Sequence, residues 1–557
     1  MKLKGAQVLL ECLKEQGVDT IFGYPGGAVL PIYDALYNTK EITHILTAHE
    51  QGATHAADGY SRSTGKVGVV IATSGPGATN TVTGIATAYG DSVPLVVFTG
   101  QVSQDLIGRD SFQEVNIVEI TKSITKKNYI VTDSNELALT IREAFQIARS
   151  GRPGPVVVDI PKDVQVAEIN YNFEELKELE VAMENLECTS DYMENINEAV
   201  KCINECCKPV IYVGGGVVKS NASAILRKFV EKINAPVSCS LMGIGAFPGN
   251  HENYMGMIGM HGTKCSNLAV SKCDVLIAVG ARFSDRVISK VEAFAPNAKI
   301  IHIDIDSKEL GKNIDISVPL KGDIKDVLSS LIERVDKKEN KSWMDQIEEW
   351  KTIKTIDQKN EYSVSPKYVI EKLQELTKGN FIITTEVGQN QIWTAQYFKF
   401  LEPRTLITSG GLGTMGFGLG AAIGAAIGNP NTKVINVAGD GSFKMNSIEL
   451  TTVAKYQVPI VQLVLNNHAL GMVHQWQEMF YQGRYSHTNL GQEVDFMKLG
   501  NAYGIETMKI TNNEEVEQVL KEALELNKPV IVECDINKYE KVFPIVPPGA
   551  AITESIG

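Results

Sequence analysis

Gly439-Asp440-Gly441-Ser442 is followed by Asn466-Asn467, so a carboxylate and an amide carbonyl stand 27 positions apart at Asp440 and Asn467. One α/β unit fits that interval: a strand ending at Asp440, a helix near 446–456 and a strand over 460–465. Neighbouring parallel strands end side by side, which brings Asp440 and Asn467 to one crevice. Two oxygen donors of this kind suit Mg²⁺, a hard cation that also keeps phosphate oxygens and water. Gly439 and Gly441 permit a tight turn, and the helix N-terminus beyond them favours an anionic diphosphate. A lone GDG triplet is usually a plain strand-to-helix turn. The asparagine pair and the Gly-rich segments upstream give this one its weight.

These residues need rigid strands behind them, and the chain provides many. Val67–Thr73, Val93–Gly100 and Val156–Pro161 are buried-strand runs in the first third. PVIYVGGG, DVLIAVGA and KIIHIDID follow in the middle, and FIITTEVG, KVINVAGDG, IVQLVLNN and VIVECDI in the last third. Continuous β-branched runs separated by helix-length segments predict parallel sheets covered on both faces. The fold class is therefore α/β, with three doubly wound parallel-sheet domains. Polar stretches over 165–194 and 336–364 read as linkers. They divide the chain into domains at 1–165, 190–335 and 365–535, with a tail over 536–557.

The 557 residues carry a net charge of −13. That balance disfavours a nucleic-acid or anionic-membrane partner, both of which want a basic surface. No stretch reaches the roughly 18 apolar residues of a membrane span. Residues 1–17 show helical spacing rather than a signal peptide's apolar run. Nine cysteines without zinc-site spacing read as reduced thiols, and a cytoplasmic protein is expected.

GDGS followed by NN resembles the cofactor motif of thiamine diphosphate (ThDP)-dependent decarboxylases and carboligases. His49–Arg62 (HEQGATHAADGYSR) and Ala72–Asn80 (ATSGPGATN) add a second half to the resemblance. Other segments are similar to the biosynthetic acetohydroxyacid (acetolactate) synthases: Gly23–Leu36, Gly100–Glu114, GRPGPVVVDIPKDVQ, GMHGT, GARFSDRV, SGGLGTMGFGL and LGMVHQWQ. The resemblance implies pyrimidine-binding, central FAD-binding and diphosphate-binding domains in that order, with the C-terminal tail near the active site. It implies Mg²⁺ on Asp440, Asn467 and the Ala469 carbonyl. ThDP would lie against Glu50, Val387, Gly388, Gln389, Gly413, Met415, Gly439, Asp440, Gly441, Ser442, Asn467, Leu470, Gly471 and Met472. Glu50 would hydrogen-bond the aminopyrimidine ring and drive it to the tautomer that removes the thiazolium C2 proton. Met415 would sit under the bend between the two rings. Gly27, Phe112 and Gln113 would approach the reacting carbon.

FAD is implied in the middle domain, on Arg152, Gly214, Gly215, His261, Gly262, Thr263, Gly280, Arg282, Asp285, Arg286, Asp304 and Asp323. From the residues alone, Gly214–Val218 is only a weak dinucleotide signal, because it lacks the full G-x-G-x-x-G. Pyruvate and 2-oxobutyrate would meet Arg286, Trp476, Phe112 and Lys162, the guanidinium suiting a planar carboxylate. The resemblance further implies a homodimer or homotetramer with active sites at the subunit interface, and a small regulatory subunit. Ser284 and Gly420 stand where the resemblance leads one to expect Asp and Pro. A FAD-free catabolic acetolactate synthase, or another ThDP enzyme such as a pyruvate oxidase, is the alternative.

Overall fold

The first sheet takes its inner strands from residues that are buried on both faces. It follows a short outlying strand, β1 (Lys2–Lys4), and contains β2 (Thr20–Tyr24), β3 (Thr43–Leu46), β4 (Gly68–Ala72), β5 (Leu95–Gln101), β6 (Lys127–Ile130) and β7 (Val156–Pro161). The order is β3-β2-β4-β5-β7-β6, parallel throughout. Every residue of β5 and β7 is buried, as a sheet covered by helices on both sides requires. This is a computed structural model, and it describes residues 1–172, 190–353, 364–377, 379–491 and 494–557.

The polar stretch read as a linker from 165 begins too early. Gln165 is buried and donates to the carbonyls of Ala28 and Ile160. β8 (Glu168–Asn170) then pairs antiparallel with β1, so the first unit runs past residue 165. Residues 173–189 of that stretch lie outside the described residues. The second sheet holds β9 (Pro209–Val213), β10 (Val237–Cys239), β11 (Tyr254–Met257), β12 (Val275–Val279), β13 (Lys299–Asp304) and β14 (Val318–Lys321). Its order, β11-β10-β9-β12-β13-β14, reverses direction between β9 and β12 and opens a crevice at their carboxyl ends.

The second polar stretch is not all linker either. Lys341–Lys351 forms a helix on which Trp343 and Ile347 are buried, and Trp343 Nε1 donates to the Pro209 carbonyl at 3.0 Å. Trp343 and Ile347, with the half-buried Trp350, suffice for that face; the charges between them face water. Residues 354–363 lie outside the described residues. The third sheet comprises β15 (Phe381–Thr385), β16 (Leu406–Ile407), β17 (Lys433–Gly439), β18 (Ile460–Asn466), β19 (Glu506–Ile510) and β20 (Val530–Asp535). Its order, β16-β15-β17-β18-β20-β19, repeats the topology of the first sheet strand for strand.

First and third units meet through two helices, Glu50–Thr64 and Gly418–Gly428. Glycines make the approach possible. A Cβ on Gly424 would overlap the Ala56 carbonyl, and one on Gly59 the Ala421 carbonyl. Gly420 belongs to the same face, where a Cβ would come within 2.8 Å of His55 Cβ. The C-terminal residues pack between the middle unit and the helix Gly471–Phe480: Val546 donates to the Met260 carbonyl, and Gln475 donates to that of Val542. Among the described residues, no helix is long and apolar enough to cross a membrane.

Candidate active site

The carboxyl ends of β15, β17 and β18 gather the metal and diphosphate candidates. Asp440 opens the helix Asp440–Asn446 directly after β17, and Asn467 follows β18, its sheet neighbour. Asp440 is buried, and its Oδ1 has no hydrogen-bond partner. Burial pushes its carboxyl up to about 6. An orphaned carboxylate oxygen of this kind is suited to a cation. Asn467 donates to Gln389 Oε1 at 3.2 Å, and its own Oδ1 accepts from the Ala469 amide at 3.1 Å, which ties three of the candidates together. A Cβ on Gly471 would crowd Gln389 and Asn467, and one on Gly441 would reach Leu470.

Glu386, immediately before Val387, organises the rest. It is fully buried and accepts from the amides of Gly416 and Gly418 and from Ser442 Oγ, at 2.7–2.9 Å. One side chain thus ties the segment carrying Gly413 and Met415 to the turn carrying Gly439 and Ser442. Burial pushes its carboxyl up while these donors pull it down.

A cleft of about 1640 Å³ runs from this corner into the middle unit. Val387, Gly388, Gly413, Met472 and Trp476 line its third-unit side. Gly215, His261, Gly280, Arg282, Asp285, Arg286, Asp304 and Asp323 of the middle unit line the other, joined by Arg152 of the first unit. The crevice between β9 and β12 lies here, and a Cβ on Gly214 would overlap the Gly280 carbonyl. Arg152 bridges to Ser92 and Glu309, Asp323 caps the helix Ile324–Arg334, and burial pushes the Asp304 carboxyl up to about 6. His261, placed near Pro544, is lowered to about 4 by burial. A large cleft with close backbone approach at a topological switch point and arginines on its wall fits a dinucleotide such as FAD. Gly262 and Thr263 do not line it. Thr263 caps the helix Lys264–Lys272, and a Cβ on Gly262 would press on Gly259 N.

Arg286 and Trp476 come from different units and meet across this cleft, the guanidinium carbon 6.0 Å from the ring centroid. Arg286 also reaches Met260 Sδ at 3.5 Å and keeps an exposed head for a carboxylate. Of the first-unit candidates, Arg152 lines this cleft and the others do not. Gly27, Glu50, Phe112, Gln113 and Lys162 are absent from the cleft lining. Phe112 is 87% exposed, and Gln113 beside it adopts φ 60°. Glu50 starts the helix Glu50–Thr64, is buried, and takes a hydrogen bond on Oε2 from Asn80 Nδ2 at 2.9 Å.

The sequence matches three family models in order: the N-terminal thiamine pyrophosphate (TPP) binding domain over 3–120, the central domain over 196–331 and the C-terminal TPP binding domain over 386–534. It is 46% identical to the acetolactate synthase large subunit of Buchnera aphidicola, over 99% of this chain and 98% of that one. It is 46% identical to a probable acetolactate synthase large subunit of Methanocaldococcus jannaschii, over 100% of this chain and 95% of that one. The large subunit of Escherichia coli acetolactate synthase isozyme 3 is 43% identical over 99% of this chain and 98% of its own. The chain belongs to the acetolactate synthase large-subunit family. Its three parallel sheets correspond to that family's three domains, and its TPP-binding domains are the first and third units.

Sequence reasoning passed over several residues of this family member's site. Asn80 and Glu386 lie inside motifs already noticed, and their positions at a helix start and a strand end were available signals. Lys219, on the cleft wall, and Glu449 carried no local signal.

Proposed function

We propose that this chain is the catalytic subunit of a biosynthetic acetolactate synthase that uses ThDP, Mg²⁺ and FAD. It decarboxylates pyruvate and joins the two-carbon unit to a second pyruvate or to 2-oxobutyrate, for branched-chain amino-acid synthesis. The observation that carries this reading is the meeting of Arg286 and Trp476 in a cleft continuous with Val387, Gly388 and Gly413.

Bound ThDP supplies the electron sink that makes decarboxylation of a 2-oxo acid accessible. Asp440, Asn467 and the Ala469 carbonyl would hold Mg²⁺ against its diphosphate. Glu50 holds and moves a proton. Asn80 fixes its Oε2, and its Oε1 faces Gly77, where a Cβ would stand 3.2 Å away. Arg286 orients the acceptor by its carboxylate, and the Trp476 ring gives the extra methyl of 2-oxobutyrate an apolar wall. Asp304, Asp323, Arg152 and Arg282 would hold FAD, which has no net redox part in this reaction. Gly27, Glu50, Phe112, Gln113 and Lys162 do not line their own chain's cleft, which supports a homodimer, the smallest assembly that would place them at a partner's cleft. A small regulatory subunit accompanies it.

The test is one assay on purified protein with ThDP, Mg²⁺ and FAD, given pyruvate with and without 2-oxobutyrate. Acetohydroxybutyrate should dominate at equal substrate, and the protein should carry a flavin spectrum. Acetolactate alone without bound flavin would instead make it a catabolic synthase, and oxygen uptake with pyruvate an oxidase.

A further inference from the structure

We propose that Glu449 is a positioning residue that sets Glu50 for proton exchange with the bound cofactor. The inference rests on the role given to Glu50 above.

Glu449 belongs to the third unit, at the end of the 3-10 turn Ser447–Glu449 that follows the Asp440–Asn446 helix. Its side chain is buried and reaches out of its own unit. Oε2 accepts the Ala48 amide at 3.1 Å, and Oε1 accepts the His49 amide at 3.0 Å. Thr452 Oγ1 completes the shell at 2.6 Å. The two amides belong to the residues just before Glu50. His49 is the N-cap of the helix Glu50–Thr64, where an N–H has no intrahelical partner and an anion is favoured.

The fit is mutual. A Cβ on Gly52, in the first turn of the Glu50–Thr64 helix, would overlap the Glu449 carboxylate, so the glycine leaves room for it. The same third-unit segment makes a second grip: the Tyr456 hydroxyl accepts the Leu46 amide at 2.9 Å. The strand-to-helix loop over 46–49 is therefore held at both ends from another domain. Glu50 emerges from that clamp with its far end fixed by Asn80. Backbone and side chain are thus set by separate partners, as a proton-transferring group held to within a fraction of an ångström requires.

Burial pushes the Glu449 carboxyl up, and Thr452 with the two amides offsets part of that cost. Its hydrogen bonds come from two amides and a hydroxyl. These contacts fix the loop's place rather than neutralise a charge.

The experiment measures exchange of the thiazolium C2 proton for deuterium in the holoenzyme without substrate, by NMR after acid quench. Glu449→Gln keeps the shape but turns an NH₂ group toward one of the two amides. It should slow exchange roughly 100-fold, the scale of a catalytic group misplaced by about 1 Å. ThDP affinity and the melting temperature should stay close to wild type. Gly52→Ala, which displaces the carboxylate, should slow exchange in the same direction. Glu50→Gln should slow exchange by itself, and adding Glu449→Gln to it should change little further, because Glu449 acts through Glu50. Wild-type exchange in Glu449→Gln would overturn the proposal. So would an equal further loss in the Glu50→Gln background, which would mark a general structural effect. Wild-type exchange in Glu50→Gln alone would overturn the role of Glu50 itself, and this proposal with it.

Discussion

Asp440 is the residue at which pH should speak most clearly. Burial raises its carboxyl from 3.8 to about 6, so below that pH the metal-free folded protein holds a proton there. A cation must displace that proton. Mg²⁺ affinity should therefore fall about tenfold per pH unit below about 6 and level off above it. The same shift has a consequence for stability. A carboxyl raised in the folded state contributes stability that is full below 3.8 and is lost as pH rises through about 6, so Mg²⁺ should stabilise most at neutral pH. Calorimetric titration of Mg²⁺ with ThDP between pH 5 and 7.5 tests the affinity. An affinity independent of pH would remove Asp440 from the metal site. Trp476 carries a second prediction. Trp476→Leu should lower the preference for 2-oxobutyrate over pyruvate by about tenfold or more, the scale of one methylene's discrimination. Competition between the two acceptors measures it directly.

The candidate residues for this chemistry were legible to different degrees, for physical reasons. Asp440 and Asn467 could be placed together because one α/β unit separates them and parallel strand ends are neighbours. Glu449 could not, because its partners at Ala48 and His49 are 401 and 400 positions away and no local pattern encodes such a contact. The helix expected near 446–456 shows the effect. It is interrupted by the 3-10 turn Ser447–Glu449, where Glu449 turns to the first unit's amides.

At the scale of elements, strands were read well because burial on both faces writes a continuous apolar run. The helix Lys341–Lys351 was read as linker because its few buried residues are diluted by charges. Gly410–Gly428 could be read as close backbone packing, but its partner could not. The partner is the helix Glu50–Thr64, whose start carries Glu50. This contact predicts a stability effect. Gly424→Ala places a Cβ inside the Ala56 carbonyl's space, so the helices must separate. A loss of about 1–3 kcal/mol is expected, as for other overpacked cores. Thermal unfolding should show it, together with weaker cofactor binding, because Gly413 and Met415 lie just before this helix. Unchanged stability would mean the interface is looser than these contacts indicate.

At the scale of the whole molecule, the candidate site residues fall into two groups. The third unit of a chain presents Val387, Gly388, Gly413 and Met472 to a cleft shared with the middle unit. The first unit turns Gly27, Glu50, Phe112 and Gln113 elsewhere. Phe112 at 87% and Tyr37 at 90% exposure are large apolar groups that a second copy of the chain would cover in the proposed homodimer. Glu50 would then serve the diphosphate site of a second copy, and Asp440 would serve that copy's glutamate. The sequence made this division visible only through its resemblance to a family, since nothing in local spacing says which chain completes a site.

Complementation between two inactive variants tests that division most directly. Glu50→Gln and Asp440→Ala are each purified, shown to be inactive, mixed, dissociated and reassembled. If each site takes its glutamate from one chain and its metal ligand from the other, mixed dimers hold one intact site. Random reassembly should then restore roughly a quarter of wild-type activity. If both groups serve the same site within one chain, every site in the mixture remains defective. No recovery from fully reassembled dimers would contradict the account.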